Sequence, residues 1–340
     1  MAVVKANAYG HGVIPVVNAL RAEGVNYFAV FSFEEAVELR DAGITEEILI
    51  FSRLSEDILE EATERNITLN LSWNDDLKVL KEFHRSFGRS PKIHFKVDTG
   101  MTRLGVQYHE AVSLLEEIKG SPGLHCEGIY SHYATADEGD LSYARYQLKR
   151  FNKVLQAAKV LGFHFKYVHF SNSGAVLNLQ QSWFNMVRVG MLLYGAFPSD
   201  EVPMDLPIMP VMEFTGPIVA VRPVPAGTHV SYGGVYRTKR DTNIGVIQTG
   251  FADGFPRPWY VDGTVAYKGK RYRIAGRVCM DQFMVDFGDC VPTVGEKVLF
   301  FGQNDTDVLR VEEIAQAIQS TTYVLLTAIG GRTRRVFVGG

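Results

Sequence analysis

The sequence has few cysteines, and none of them is placed as structural cysteines usually are. Only Cys126, Cys279 and Cys290 occur among 340 residues, and no CxxC pair is present. Such spacing argues against a disulfide framework and against a zinc site. We therefore expect no metal, and we predict a reducing compartment, the cytoplasm.

The chain also lacks an excess of charge of one sign and a long hydrophobic run. Its formal net charge is −3, whereas a nucleic-acid partner would require a basic surface. No apolar segment approaches the roughly 20 residues that a membrane-spanning helix needs. These absences favour a soluble enzyme, and the length of 340 residues corresponds to about two domains.

The first 200 residues alternate short apolar runs with amphipathic helical patterns. Eight runs predict strands, at 2–4, 27–31, 48–51, 67–71, 92–97, 127–131, 167–170 and 185–189. Eight strands with intervening helices are typical of a (β/α)8 TIM-type barrel. An open doubly wound sheet usually has a G-x-G-x-x-G turn after its first strand, and this sequence has none there. We therefore predict an α/β barrel over residues 1–200.

Beyond the barrel the pattern changes. Four prolines lie close together at 198, 203, 207 and 210, which predicts a linker. Strand-like runs then dominate, at 218–221, 244–247, 264–267, 273–275, 284–287 and 297–300, with one helix at 311–319. Residues 201–340 are therefore predicted to form a mostly-β C-terminal domain.

Polar residues gather at the C-terminal ends of the predicted barrel strands, where barrel enzymes hold their active sites. They are Lys5, Tyr9, His11, Lys96, Asp98, Arg103, His132, His169, Ser171, Asn172, Ser173 and Arg188. Facing carboxylates, which a glycosidase needs, are missing, and only Asp98 and Asp137 could join histidines in a metal hydrolase. Cations and hydroxyls instead favour an anionic ligand that carries phosphate.

Lys5 is the most informative single residue of this ring. It ends a buried apolar strand, where burial would lower the pKa of its ammonium group. A lysine in such a place can form a Schiff base as an amine nucleophile, or it can extend to solvent at the strand end. Its position alone leaves both interpretations open.

The context of Lys5 supplies a resemblance. Segment 4–12, Val-Lys-Ala-Asn-Ala-Tyr-Gly-His-Gly, resembles the pyridoxal-phosphate (PLP) lysine signature of bacterial alanine racemases, fold-type III PLP enzymes. Further segments similar to that family follow in order, at 96–105, 131–137, 169–173, 184–190, 230–233, 250–254 and 277–282. The resemblance spans the whole chain. It implies a PLP-binding barrel followed by a β-rich domain, and an isomerase that interconverts L- and D-alanine to supply D-alanine for peptidoglycan.

The resemblance also implies catalytic roles. Racemisation requires proton removal on one face of Cα and delivery on the other, so two acid/bases are expected. Lys5 would serve one face and Tyr232 the other, with His132 as the hydrogen-bond partner that a tyrosine of ordinary pKa near 10 needs. Arg188 would face the pyridine nitrogen. Because arginine does not readily lose a proton, the nitrogen would stay unprotonated, which disfavours side reactions.

The remaining residues that the resemblance implies bind ligands or shape the site. Cofactor contacts are Tyr9, His169, Ser173, Gly190, Met191 and Tyr323, in addition to Lys5 and Arg188. Arg103 and Met280 would contact the substrate, and Lys96, often carbamylated in the family, would support Arg103. The family pattern further implies a homodimer with composite sites, in which Tyr232 and Met280 reach the barrel of the partner.

Two departures and three alternatives accompany the resemblance. The tail at 332–335 reads Arg-Thr-Arg-Arg, where the family usually has Arg-x-Pro-Arg. Met1 matches an internal family position, since roughly 35 residues usually precede this lysine in such barrels, and we expect an N-terminal segment to be missing. A serine or broad-specificity racemase, a non-catalytic PLP-carrier protein and a decarboxylase of related fold are the alternatives. Tyr232 argues against the carrier, and Tyr232 with Arg188 argues against the decarboxylase.

Overall fold

The computed structural model describes residues 1–339. Its N-terminal part contains eight strands, whose pairings with one another are all parallel. They are β1 Ala2–Val3, β2 Tyr27–Val30, β3 Glu47–Ile50, β4 Leu69–Leu71, β5 Lys92–Asp98, β6 Val106–Gln107, β7 His125–Tyr130 and β8 Tyr167–His169. The near-continuous apolar runs of β2 and β3 are buried, as expected for strands covered on both faces.

Helices separate most of these strands. They are α1 Lys5–Tyr9, which is a left-handed turn, and the helices α2 Val13–Ala22, α3 Phe33–Asp41, α4 Leu59–Glu64, α5 Asn74–Phe87, α6 Ala111–Lys119, α7 Ser142–Val160 and α8 Ser173–Asn178. In α5 the apolar residues recur every third position, and Leu77, Leu80 and Phe83 face the core. Gly88 then ends α5 in the left-handed conformation, with φ of 66°.

Single parallel bridges complete the barrel. Leu49 pairs with Thr68, which joins β3 to the strands that follow. The prediction of a regular strand at 185–189 is wrong. Only two residues of this segment form bridges, Met186 with His169 and Val189 with Ala2. The side chain of Asn185 explains the irregularity: its amide accepts from the Val168 N–H and donates to the Lys166 carbonyl. The ring nevertheless closes, and the predicted barrel is confirmed.

The C-terminal part is dominated by antiparallel strands. They are β9 Phe214–Val224, β10 His229–Val230, β11 Tyr236–Arg237, β12 Thr242–Ile247, β13 Thr264–Tyr267, β14 Lys270–Ile274, β15 Phe283–Asp286, β16 Lys297–Gln303 and β17 Val308–Leu309. The main sheet has the order β13-β14-β15-β12-β9-β16-β17, and a further pairing of β13 with β16 closes it into a second, smaller barrel. Two helices follow, α9 Val311–Ala317 and α10 Thr322–Thr327, of which only the first was predicted.

The two parts of the chain contact each other through these last helices. The Phe197 N–H donates to the Glu312 carboxylate at 2.9 Å, and Arg310 donates to the Gly195 carbonyl at 3.1 Å. Helix α10 packs against α1, at the mouth of the barrel. The division of the chain near residue 200 stays a prediction. Within residues 1–339, no helix combines the length and the apolar character that crossing a membrane demands.

Candidate active site

Lys5 lies at the C-terminal end of the first barrel strand and begins an unusual turn. The next four residues, Ala6 to Tyr9, have φ values of 52–53°, so they form a left-handed turn made entirely of non-glycine residues. The Lys5 side chain is half-buried. Burial lowers the pKa of its amine, and the nearby positive charge of Arg103 lowers it further. A larger fraction of this amine is therefore neutral than in a lysine exposed to water.

Lys96 lies on β5, at the same end of the barrel. Its side chain is buried, and its Nζ is 5.4 Å from the ring centroid of Tyr130. Burial and the positive charges of Arg103 and Arg188 lower the pKa of Lys96 to about 7. The exposed Arg103 lies on the loop after β5, whose backbone is shaped by the Asp98 carboxylate, an acceptor for three successive backbone N–H groups.

A buried hydrogen-bond chain runs from Arg188 into the barrel. Arg188 donates to Nδ1 of His169 at 2.9 Å, Nε2 of His169 is 2.9 Å from Nδ1 of His94, and Nε2 of His94 is 3.1 Å from the hydroxyl of Tyr27. The ring of Tyr130 stacks on His169, with a centroid distance of 4.6 Å. Burial lowers the pKa of His94 to about 3 and that of His169 well below its ordinary value, so both imidazoles are neutral.

The chemistry of the donors fixes the direction of this chain. Burial lowers the pKa of Arg188 only to about 10, so its guanidinium stays charged near neutral pH and can only donate. His169 must then accept at Nδ1, carry its proton on Nε2 and donate to His94, which carries its own proton on Nε2. Arg188 thus sets the tautomer of each histidine in turn.

Arg188 also contacts a further histidine, His132, to which the same argument about the tautomer applies. Arg188 approaches Nδ1 of His132 at 3.1 Å, and its Nη2 also donates to the carbonyl of Ser131 at 2.8 Å. The pKa of His132 is well below its ordinary value, because of burial first and then the charge of Arg188. A neutral His132 that accepts at Nδ1 carries its proton on Nε2, where it can donate to a further group.

A separate cluster of side chains surrounds Tyr9 and the segment that begins at Gly190. The Gly190 N–H donates to Oγ of Ser173 at 3.1 Å. A Cβ atom on Gly190 would lie only 2.8 Å from the Tyr9 hydroxyl, so this position needs the small size of glycine. The ring of Tyr323 lies 6.0 Å from that of Tyr9, and Met191 begins the 3₁₀ turn Met191–Tyr194 directly after Gly190. Hydroxyls and a closely approachable backbone suit an anion such as phosphate.

Two residues predicted to act at this site lie elsewhere in the chain. Tyr232 belongs to the short turn Tyr232–Gly234 of the C-terminal part and is 70% exposed, and Met280 is 55% exposed. In the portion of the chain that the structure describes, neither side chain has a hydrogen bond to the barrel residues above. The Met280 loop is held instead by the C-terminal part itself, since its carbonyl accepts from the Ala252 N–H at 3.1 Å.

Other members of the predicted ring have structural contacts. His11 stacks on Tyr194, with its Nδ1 3.0 Å from two backbone carbonyls. The hydroxyl of Ser171 lies 2.8 Å from that of Ser182, and Asn172 caps α8. His94, Tyr130 and Tyr27 are site residues that sequence reasoning missed. The alternation of β5 contains the signal, because His94 and Lys96 are two residues apart and share one face of the strand.

Comparison with known proteins gives a consistent result. Residues 1–198 match the family described as alanine racemase, N-terminal domain, and residues 211–337 match alanine racemase, C-terminal domain. The alanine racemase of Desulforamulus reducens is 40% identical over 342 residues, covering 100% of this chain and 92% of that relative. That of Methanococcus maripaludis is 36% identical, covering 99% and 91%.

Solved structures agree in fold as well as in sequence. The crystal structure of alanine racemase from D-cycloserine producing Streptomyces lavendulae superposes with a TM-score of 0.94 at 36% identity, covering 100% of this chain and 90% of that one. The Bacillus anthracis alanine racemase with bound L-Ala-P gives a TM-score of 0.90 at 34% identity, with coverage of 99% and 88%.

Proposed function

The chain belongs to the alanine racemase family, and from this premise we infer that it interconverts L- and D-alanine with pyridoxal phosphate as cofactor. One observation supports this function most strongly: a half-buried lysine, a buried arginine with its histidines and a hydroxyl-lined backbone segment meet at one end of the barrel. The match of residues 211–337 to the second domain also speaks against a single-domain PLP-carrier protein.

The residues at the barrel mouth fit this cofactor. Gly190 leaves room beside the Tyr9 hydroxyl that any side chain would fill, and Ser173 adds a second hydroxyl there. We assign the phosphate to this cluster, with Met191 and Tyr323 beside it, and the pyridine nitrogen to Arg188, supported by His169. Lys5 would hold the cofactor covalently through its amine. When bound, pyridoxal phosphate withdraws electrons from the amino acid and so acidifies its Cα–H bond.

Lys5 is proposed to move the proton on one face of the substrate. Burial and Arg103 lower the pKa of its amine, so once the amino group of the substrate has displaced it from the cofactor, Nζ can accept a proton from Cα in one direction of the reaction and deliver one to the same face in the other. The charge of Arg103 also suits the carboxylate of an amino acid, and we assign that contact to it. Arg188 keeps its own protons, because its pKa stays at about 10 despite burial.

Tyr232 is proposed to serve the other face, in the barrel of a second copy of the chain. The support is its position: a tyrosine that is 70% exposed on the C-terminal part is free to contact another molecule. His132, with its proton on Nε2, would donate to the phenolic oxygen and stabilise its deprotonated form. Met280, also exposed, would enter the same composite site. We therefore propose a homodimer.

Lys96 is proposed to carry a carbamate. Its pKa of about 7 leaves much of the amine neutral at neutral pH. The neutral amine can attack carbon dioxide: an N–C bond forms, one C=O π bond opens to leave a carboxylate oxygen, and one proton passes from the nitrogen to solvent. The product is an anion, which would replace repulsion with attraction beside Arg103. Mass spectrometry after trapping of the carbamate would show one added carbon dioxide on the peptide that contains Lys96, and an unmodified peptide would refute the proposal.

A solvent-exchange experiment tests the reaction. L-alanine incubated with the PLP-loaded protein in deuterium oxide should lose optical rotation while deuterium appears at Cα. Release of carbon dioxide, or no turnover of alanine, would refute racemisation, and L-serine in parallel measures the alternative substrate. We further propose that the enzyme acts in the cytoplasm and supplies D-alanine for peptidoglycan. It should then restore growth of a bacterium that requires D-alanine, whereas a Lys5→Ala variant should not.

A further inference from the structure

The turn that follows Lys5 has a backbone conformation that L-residues avoid. Four successive non-glycine residues, Ala6 to Tyr9, lie at φ values of 52–53°. For such residues the left-handed helix brings Cβ too close to the following carbonyl. Backbone strain of this kind persists only where surrounding contacts hold it. The contacts around the turn therefore decide where the Lys5 side chain lies.

Three side chains hold the turn. At its start, Oε1 of Glu35 accepts from the Ala6 N–H at 2.6 Å. Within it, Oδ1 of Asn7 accepts from the Val13 N–H at 2.7 Å. At its end, Nε of Arg335 donates to the Gly10 carbonyl at 2.7 Å, across 325 positions of sequence.

Arg335 does more than contact one carbonyl. Its Nη2 donates to the carbonyl of Ile329 at 2.9 Å, so the planar guanidinium joins the turn to the segment that directly follows α10. The planar guanidinium presents both donors in a fixed geometry, which the ammonium of a lysine at the end of its flexible stem does not. The surroundings are tight, because a Cβ on Gly12 would lie 2.8 Å from the ring of Phe337 and one on Gly10 would overlap the Leu326 carbonyl.

We propose that Arg335 is a positioning residue for Lys5. By holding the Gly10 carbonyl, it keeps the turn left-handed and keeps the Lys5 amine at the end of the first barrel strand. The C-terminal tail thus controls the order of the segment that carries the cofactor lysine. The part of this inference that concerns cofactor affinity rests on the proposed function, whereas the part that concerns the order of the turn does not.

The neighbouring Arg334 offers a matched control. It carries the same charge in the same tail, it is exposed, and in residues 1–339 its side chain forms no hydrogen bond. Arg335→Gln and Arg334→Gln therefore remove the same charge, but only the first removes the contact with the turn. Arg335→Lys keeps the charge and at most one of the two donors.

Hydrogen–deuterium exchange of the full chain is the first readout. For Arg335→Gln we expect amide exchange in residues 8–12 to become about tenfold faster, as for loss of one charged hydrogen bond, while the central barrel strands keep wild-type rates. Arg334→Gln should match the wild type, and Arg335→Lys should fall between. Unchanged exchange at 8–12, or equal acceleration throughout the barrel, would overturn the proposal.

Cofactor binding is the second readout. The dissociation constant for pyridoxal phosphate, from fluorescence titration, should rise about tenfold for Arg335→Gln and not for Arg334→Gln. For Arg335→Ala, added ethylguanidinium should restore both the affinity and the slow exchange of residues 8–12. No rescue, with wild-type-like folding, would count against a positioning role. Neither readout uses alanine, so a protein that binds the cofactor through Lys5 but fails to racemise alanine would refute the proposed function alone.

Discussion

Replacing His94 by phenylalanine removes the imidazole at the centre of the buried chain from Arg188 to Tyr27. The Nε2–H of His169 and the hydroxyl of Tyr27 would each lose their partner, at 2.9 and 3.1 Å. A buried polar group without a partner costs about 1–3 kcal/mol, so near neutral pH the variant should be less stable by about 2–6 kcal/mol.

The pH dependence of that difference is the sharper test. The pKa of His94 is about 3 in the folded protein, against an ordinary 6.5. Between these two pH values, His94 of the unfolded chain binds a proton that His94 of the folded protein does not. Because of this residue, the free energy of unfolding of the wild type therefore falls by about 1.4 kcal/mol for each unit by which pH falls. The variant lacks this group. The difference in free energy of unfolding between the wild type and the variant should therefore decrease by about 2 kcal/mol from pH 6.5 to about 5.

Urea denaturation followed by circular dichroism across this pH range measures the difference. A His125→Phe variant, altered at an exposed residue of β7, controls for the loss of an imidazole as such. If the difference in free energy of unfolding stays constant from pH 6.5 to about 5, His94 is not a buried neutral histidine. The assignment of tautomers from Arg188 would then be wrong.

Three further substitutions separate the proposed roles. Lys5→Ala should leave far-ultraviolet circular dichroism unchanged but abolish the visible absorbance of bound cofactor and all turnover; retained turnover would exclude Lys5 as the cofactor lysine. Gly190→Ala places a Cβ 2.8 Å from the Tyr9 hydroxyl and should weaken cofactor binding by about 1–3 kcal/mol in fluorescence titration, so unchanged affinity would move the phosphate elsewhere. Tyr232→Phe, at a side chain that is 70% exposed, should keep stability and cofactor absorbance yet slow the exchange of the Cα proton with deuterium oxide more for one enantiomer of alanine than for the other; equal slowing of this exchange for both enantiomers would contradict its role on a single face.

Much of the barrel could be predicted because its strands are covered on both faces and so appear as apolar runs. The prediction of a strand at 185–189 was wrong because hydrogen bonds of the side-chain amide of Asn185 take the place of regular backbone pairing there. The periodicity of apolar residues contains no information about such side-chain hydrogen bonds. Helix α10 has only six residues, too few for a helical period to be distinguished from a loop.

Part of the candidate site could also be predicted, because of where its residues lie on the predicted strands. Residues such as Lys5 and Lys96 end or lie on strands, and parallel strands bring their C-terminal ends together. His94 could have been found from its alternation with Lys96 on β5. Arg335 could not, because its contact with Gly10 spans 325 positions and depends on how the tail packs in three dimensions.

Mixing the Lys5→Ala and Tyr232→Phe variants tests the central claim, that Lys5 of one chain and Tyr232 of another form one racemase site. Lys5→Ala and Tyr232→Phe chains are inactive or impaired alone, but a mixed dimer would contain one site with both residues intact. If a symmetric dimer exchanges subunits at random, about a quarter of the wild-type racemase activity should return. If activity stays at the level of the separate variants while mixed dimers are demonstrably present, each barrel uses its own tyrosine or none, and the account is contradicted.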